Sequence, residues 1–238
     1  MSIDNFEVHP GRYISGVKVK SYSKAGIAPP LIGVVNYKAG NILSISKALN
    51  LLGANTYEVL APADIGKADG LVMPGVGAFS AAMACLVEQG LAVALKEYAL
   101  VQKRMLMGIC LGMQLLTDSS MEFGVTEGLS IIPGETKELD RVDVPLPHVG
   151  WNEVAVKQAV PMYAGIPDQA HFYFDHSFAV NCAEKYISGS SDYGQEFVAS
   201  ICHDNIWAAQ FHPEKSQTWG LKLLRNFLDT VVGVRDNA

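Results

Sequence analysis

The segment Arg104-Met105-Leu106-Met107-Gly108-Ile109-Cys110-Leu111-Gly112-Met113-Gln114 constrains this chain more than any other. An apolar run leads into Gly-x-Cys-x-Gly and then into a helix-forming stretch. That is the pattern of a nucleophile elbow, a sharp turn that lifts a side chain out of the end of a strand. The turn forces unfavourable backbone angles on the nucleophile, and glycines at 108 and 112 let neighbouring backbone approach without a Cβ clash. Cys110 is therefore a candidate nucleophile, and a helix beginning just after it favours the reactive thiolate. A glycine-flanked cysteine is also compatible with a small buried apolar residue, so the motif needs support from elsewhere in the chain.

That support lies in Ala209-Gln210-Phe211-His212-Pro213-Glu214-Lys215-Ser216. A cysteine nucleophile needs an imidazole to take and return its proton, and the imidazole needs a third group to fix its tautomer. His212 and Glu214 are the candidates. His-Pro-Glu is also ordinary turn composition; the order of the two blocks, elbow first and His-Pro-Glu well downstream, is what joins them.

Residues Gly108 to Gln114 followed by Gln210 to Ser216 resemble the class I glutamine amidotransferases with their Cys-His-Glu triad. Three further blocks narrow the resemblance to the glutaminase subunits of imidazole glycerol phosphate synthase: Pro74-Gly75-Val76-Gly77-Ala78-Phe79, Pro147-His148-Val149-Gly150-Trp151-Asn152 and Tyr173-Phe174-Asp175-His176-Ser177-Phe178. The likeness runs from about Leu31 to about Val232. It implies an α/β, flavodoxin-like three-layer fold with a central, mostly parallel sheet and a small antiparallel section. It further implies a catalytic set of Cys110, His212 and Glu214, and an oxyanion hole from Gly75, Val76, Gly77 and Leu111. Gln114 and the backbone around His176, Ser177 and Phe178 would hold glutamine. Asn41, Trp151, Asn152 and Lys215 would face a separate cyclase subunit of the (β/α)8 type, which receives the ammonia. No metal and no cofactor are implied. The chain departs from the family pattern at Asn36, where an acid is common, and at Lys38, where glycine is common. It departs again at Asp175, where valine is usual, and at Phe178, where tyrosine is usual. These departures keep open a related subunit that feeds ammonia to the modification of surface sugars. A non-enzymatic module on the same fold would be expected to lack a triad member, and none is missing.

The remaining sequence fits one domain. Alternating strand and helix patterns begin at Leu31-Ile32-Gly33-Val34-Val35. Ile42, Ile45, Leu49 and Leu52 follow at helical spacing, with Asn41 as N-cap and Gly53 as the stop. Residues 79 to 103 read as helical with a break near Gly90, residues 129 to 132 as a short strand, and Ser216 as the cap of a closing helix. Residues 1–30 stand outside the family pattern and read as a flexible extension, or else an added edge strand, before a domain at 31–238. A formal charge of −6 gives no basic field for nucleic acid. No run of eighteen apolar residues and no N-terminal apolar h-region is present, so neither a membrane span nor a secretory signal is expected. Cys85, Cys182 and Cys202 show no metal or disulfide spacing and read as core thiols, which suits a cytoplasmic protein.

Overall fold

The computed structural model describes Tyr22 and residues 26–38, 40–140 and 144–237. Four βα steps open the chain: β1 (Leu31–Val35), α1 (Ile42–Leu51), β2 (Asn55–Val59), α2 (Pro62–Ile65), β3 (Gly70–Gly75), α3 (Phe79–Glu88), α4 (Leu91–Lys96), β4 (Leu106–Cys110) and α5 (Leu111–Gln114). Strands dominate the rest: β5 (Ser119–Ser120), β6 (Thr126–Glu127), β7 (Gly134–Glu138), β8 (His148–Val156), β9 (Ala170–His176), β10 (Phe178–Cys182), β11 (Ile187–Asp192), β12 (Glu196–His203) and β13 (Ile206–Ala209). The helix α6 (Gln217–Asp236) closes the fold.

The main sheet runs β2-β1-β3-β4-β13-β12-β11-β8-β9. Its first five strands are mutually parallel, and the remaining four continue it antiparallel. A second sheet, β10-β7-β5-β6, flanks it. Period-two alternation sends Ile32, Val34, Val72, Met107 and Ile109 to the face covered by α1 and α6. Leu71, Met73 and Leu106 go to the opposite face, under α3 and α4. This gives the expected three layers. Each fully buried aliphatic side chain removed from water contributes about 1.5–3 kcal/mol, so slipping any central strand by one residue would be prohibitive.

Register is what builds the site. Gly75 lies beside Cys110, and Ala209 beside Ile109, so the carboxyl ends of β3, β4 and β13 deliver three loops to one edge of the sheet.

Asn41 caps α1 as expected, accepting from the Ser44 amide at 3.2 Å. Lys38 adopts φ 64°, a left-handed conformation that favours glycine, with its N–H held by the Asn36 side chain at 3.0 Å. The elbow helix α5 is a single turn. Two local expectations need correction. Residues 129–132 form no strand. Their amides instead bond the carbonyls of Leu115, Thr117 and Leu116, closing the chain that leaves α5. Ser216 precedes α6 without capping it, because its hydroxyl donates to the His212 carbonyl at 2.6 Å.

The expected extension, residues 1–30, falls largely outside the described residues. Within it, Tyr22 is buried against α6, its hydroxyl donating to Asp229 at 2.9 Å and its ring lying 4.4 Å from the Arg225 guanidinium.

Candidate active site

Cys110 sits where β4 turns into α5 with φ 54° and ψ −113°, a strained conformation for a residue with a side chain. Backbone crowding explains the flanking glycines. A Cβ on Gly108 would meet the Gly112 carbonyl oxygen at 2.7 Å, and one on Gly112 would overlap the Met73 carbonyl of β3. Cys110 itself is 5% exposed and lines the floor of a cleft of about 270 Å³. Burial pushes the Cys182 and Cys202 thiols up to about 11.

His212 follows β13 through Gln210 and Phe211. Its N–H donates to the Tyr173 carbonyl at 2.9 Å, and Ser216 ties the same stretch to β9 by accepting from the Tyr173 amide at 2.9 Å. The ring Nδ1 stands 2.9 Å from Glu214 Oε1, with both side chains buried. Its Nε2 is buried and makes no protein hydrogen bond among the described residues. Burial disfavours charge on this imidazole, but the Cys110 sulfur and the Glu214 carboxylate outweigh that and push its pKa up to about 10. His212 is thus held as an imidazolium at neutral pH.

The cleft is lined by Val76, Gly77, Leu111, Gln114, Glu122 and the 175–178 segment, among others. Gly75 is buried at the end of β3, where a Cβ would overlap the Tyr37 hydroxyl. Gly77 adopts φ 100°, open to glycine alone at little cost. Gln114 Nε2 donates to the Phe178 carbonyl at 2.9 Å and to Gln210 Oε1 at 3.1 Å. Its own Oε1 is left without a partner among the described residues.

Of the residues expected at a partner surface, Trp151 is 46% exposed and packs edge-on to Tyr173, which rules out a core tryptophan. Lys215 lies 3.9 Å from Asp175 and over the Tyr173 ring. Asn41 is exposed at the head of α1. Asn152 is engaged within the chain, its Nδ2 donating to the Asp192 carbonyl at 2.7 Å and its Oδ1 accepting from the Glu153 amide.

Residues 34–231 match the family model for glutamine amidotransferase class-I. The chain belongs to the class-I glutamine amidotransferases. It is 48% identical over 199 residues to the imidazole glycerol phosphate synthase subunit HisH 1 of Campylobacter jejuni strain RM1221, covering 83% of this chain and 99% of that one. It is 45% identical to the corresponding subunit HisH of Desulfitobacterium hafniense strain DSM 10664 / DCB-2, with coverage of 83% and 93%. A solved glutamine amidotransferase superposes with a TM-score of 0.68 at 19% identity, covering 85% of this chain and 98% of that structure, and so shares the fold.

Four residues of this amidotransferase site make side-chain contacts that the motifs did not assign. Glu122 brings a carboxylate to the cleft while accepting from the Phe79 amide at the head of α3. It comes from a turn-rich connection in which nothing singles it out. His148 reaches the site from the neighbouring strand, its Nδ1 3.1 Å from His176 Nε2. His176, expected to act through its backbone, also has a buried ring whose Nδ1 bonds the Phe178 carbonyl at 2.9 Å. Burial pushes His148 down to about 4 and His176 to about 3, so both rings are neutral. Gln210 stood inside the His-Pro-Glu block with no role attached. Its Nε2 lies 3.7 Å from the Cys110 sulfur.

Proposed function

We propose that the chain is the glutaminase subunit of an imidazole glycerol phosphate synthase, releasing ammonia from glutamine for a separate cyclase subunit in histidine biosynthesis. The observation that carries this is the similarity to HisH subunits along nearly their whole length, in a chain whose Cys110 lines a cleft and interacts with a His212 that is paired with Glu214.

The Cys110 thiolate attacks the carboxamide carbon, forming the C–S bond. The developing oxyanion is held by the Leu111 amide and one from the Gly75-Val76-Gly77 turn. His212, already protonated, gives its Nε2 proton to the departing nitrogen as the C–N bond breaks, and ammonia leaves. The neutral ring then takes a proton from water attacking the thioester. Glutamate departs, and thiolate and imidazolium are restored. Glu214 holds Nδ1–H throughout, fixing which nitrogen faces the reaction.

Free glutamine carries an α-ammonium and an α-carboxylate. Glu122 suits the first, and amides of the 176–178 segment suit the second, while the free Oε1 of Gln114 can accept from either nitrogen of the substrate. Ammonia lost to water would be protonated and useless as a nucleophile, so a docked synthase must receive it. Trp151, Lys215 and Asn41 form the proposed docking rim, with Trp151 as its aromatic anchor.

The test is glutamate release from glutamine, by the wild type and Cys110→Ala, alone and with a cyclase subunit carrying its nucleotide ligand. Strong stimulation that disappears in Cys110→Ala is the expected result. Cys110-dependent release that no cyclase stimulates would move the partner to a sugar-modifying synthase, and no release under any condition would end the glutaminase reading.

A further inference from the structure

Gln210 is fully buried, two residues before the catalytic histidine, and the mechanism above gives it no task. Its position is specified by an unbroken series of hydrogen bonds. Starting from the strand β8, Asn152 Nδ2 lies 3.4 Å from His148 Nε2, and His148 Nδ1 lies 3.1 Å from His176 Nε2. His176 Nδ1 lies 2.9 Å from the Phe178 carbonyl, which also receives Gln114 Nε2. Gln114 Nε2 donates in turn to Gln210 Oε1, and Gln210 Nε2 reaches the Cys110 sulfur.

A carbonyl can only accept, so His176 must carry its proton on Nδ1. Its neutral Nε2 then accepts, which places the His148 proton on Nδ1 and leaves His148 Nε2 to accept from Asn152. The same carbonyl fixes which end of the Gln114 amide points at it. With Gln114 fixed, turning Gln210 around would set its oxygen on the nucleophile and its nitrogen against another nitrogen. One proton arrangement satisfies every member, and in it an N–H is locked onto sulfur.

We propose that Gln210 is a further catalytic residue, whose carboxamide N–H stabilises the Cys110 thiolate before attack and again when the thiolate leaves the thioester. The proposal rests on the glutaminase reading of this cleft. In the second step water adds to the acyl carbon, its proton passes to His212, and the C–S bond breaks with the electron pair going to sulfur. Gln210 is placed to receive that charge. The other neighbours of the sulfur leave the task open. The Asp175 carbonyl at 3.8 Å repels a thiolate, and Tyr37 spends its proton on the Pro74 carbonyl at 2.7 Å, its phenol held protonated by burial. His176 is neutral, and Glu214 acts through His212. The imidazolium of His212 gives up its charge during each cycle, whereas a carboxamide N–H does not.

The experiment follows alkylation of Cys110 by iodoacetamide against pH in the full chain, with glutaminase kinetics beside it. Gln210→Met keeps the shape and removes the N–H. It is expected to raise the pH midpoint of alkylation by about one unit and to lower kcat about tenfold with KM little changed, the scale of one hydrogen bond to a charged group. An unchanged midpoint in folded Gln210→Met overturns the proposal. Should that variant not fold, Gln210→Glu keeps the bond from Gln114 and sets a carboxylate on the sulfur. It must then raise the midpoint further, and no change there overturns the proposal equally. Alkylation needs no glutamine, so a shifted midpoint without glutamate release would refute the glutaminase reading while leaving the thiolate contact standing.

Discussion

Two pairs of buried side chains in this molecule contain the same imidazole and treat it in opposite ways. His212 lies between a carboxylate and a sulfur, both able to carry negative charge, and holds its proton up to about pH 10. His148 and His176 lie against each other, a carbonyl, an amide and the faces of Phe174 and Tyr193, and burial keeps them neutral. Burial is similar in the two places, so the partner decides. In the proposed function the first pair moves a proton, while the second is a neutral, hydrogen-bonded pair beside it.

The largest effect should come from removing the charged ring. His212→Asn is expected to lower kcat for glutamate release by about 10²–10⁴-fold, the usual worth of a positioned acid–base group. Next in size is Glu214→Gln, which keeps the geometry but takes away the counter-charge. The rate against pH should fall off nearer neutrality than in the wild type, whose decline is expected as pH rises through about 10. If the alkaline limb does not move, Glu214 is not what holds the proton on His212.

The neutral pair is broken in a different currency. His148→Phe keeps the ring stack but leaves His176 Nε2 buried without a donor, and should cost about 1–3 kcal/mol in urea unfolding. His148→Gln, which can still donate, should cost less. Stability against pH sharpens the contrast, because the signs differ. The unfolded chain binds protons below the ordinary histidine value of 6.5, while folded His148 refuses one until about 4, so stability is lost as pH falls through that window. The contribution of His212 is complete below 6.5 and is lost as pH rises toward 10. Urea melts of wild type and His148→Gln across the acidic window should show a shallower decline in the variant. The smallest effect on the isolated subunit is expected from Trp151→Ala, which should leave basal glutamate release unchanged and weaken cyclase binding by about thirtyfold, the scale of an interface hot spot.

What the sequence made legible follows the same division. The elbow is a local problem: Gly108, Cys110 and Gly112 meet within a few residues, and crowding against Met73 leaves little alternative to glycine. The parallel centre of the sheet was legible because its strands are buried on both faces and read as apolar runs. The His212–Glu214 pair spans two residues. The neutral pair is not local, since His148 meets His176 only through the register of β8 on β9, which a single sequence does not display. The same holds for Glu122, brought to the cleft by a connection with no periodic pattern. Residues 129–132 look like a strand by composition, yet their amides are used to close off a one-turn helix.

The most direct test of the central contrast is a long-range proton–nitrogen NMR spectrum of the histidine rings in the free subunit near neutral pH, assigned with His212→Asn and His148→Gln. The account predicts an imidazolium at His212, with His148 and His176 both neutral and both protonated on Nδ1. A neutral His212, or a charged ring at 148 or 176, would contradict it.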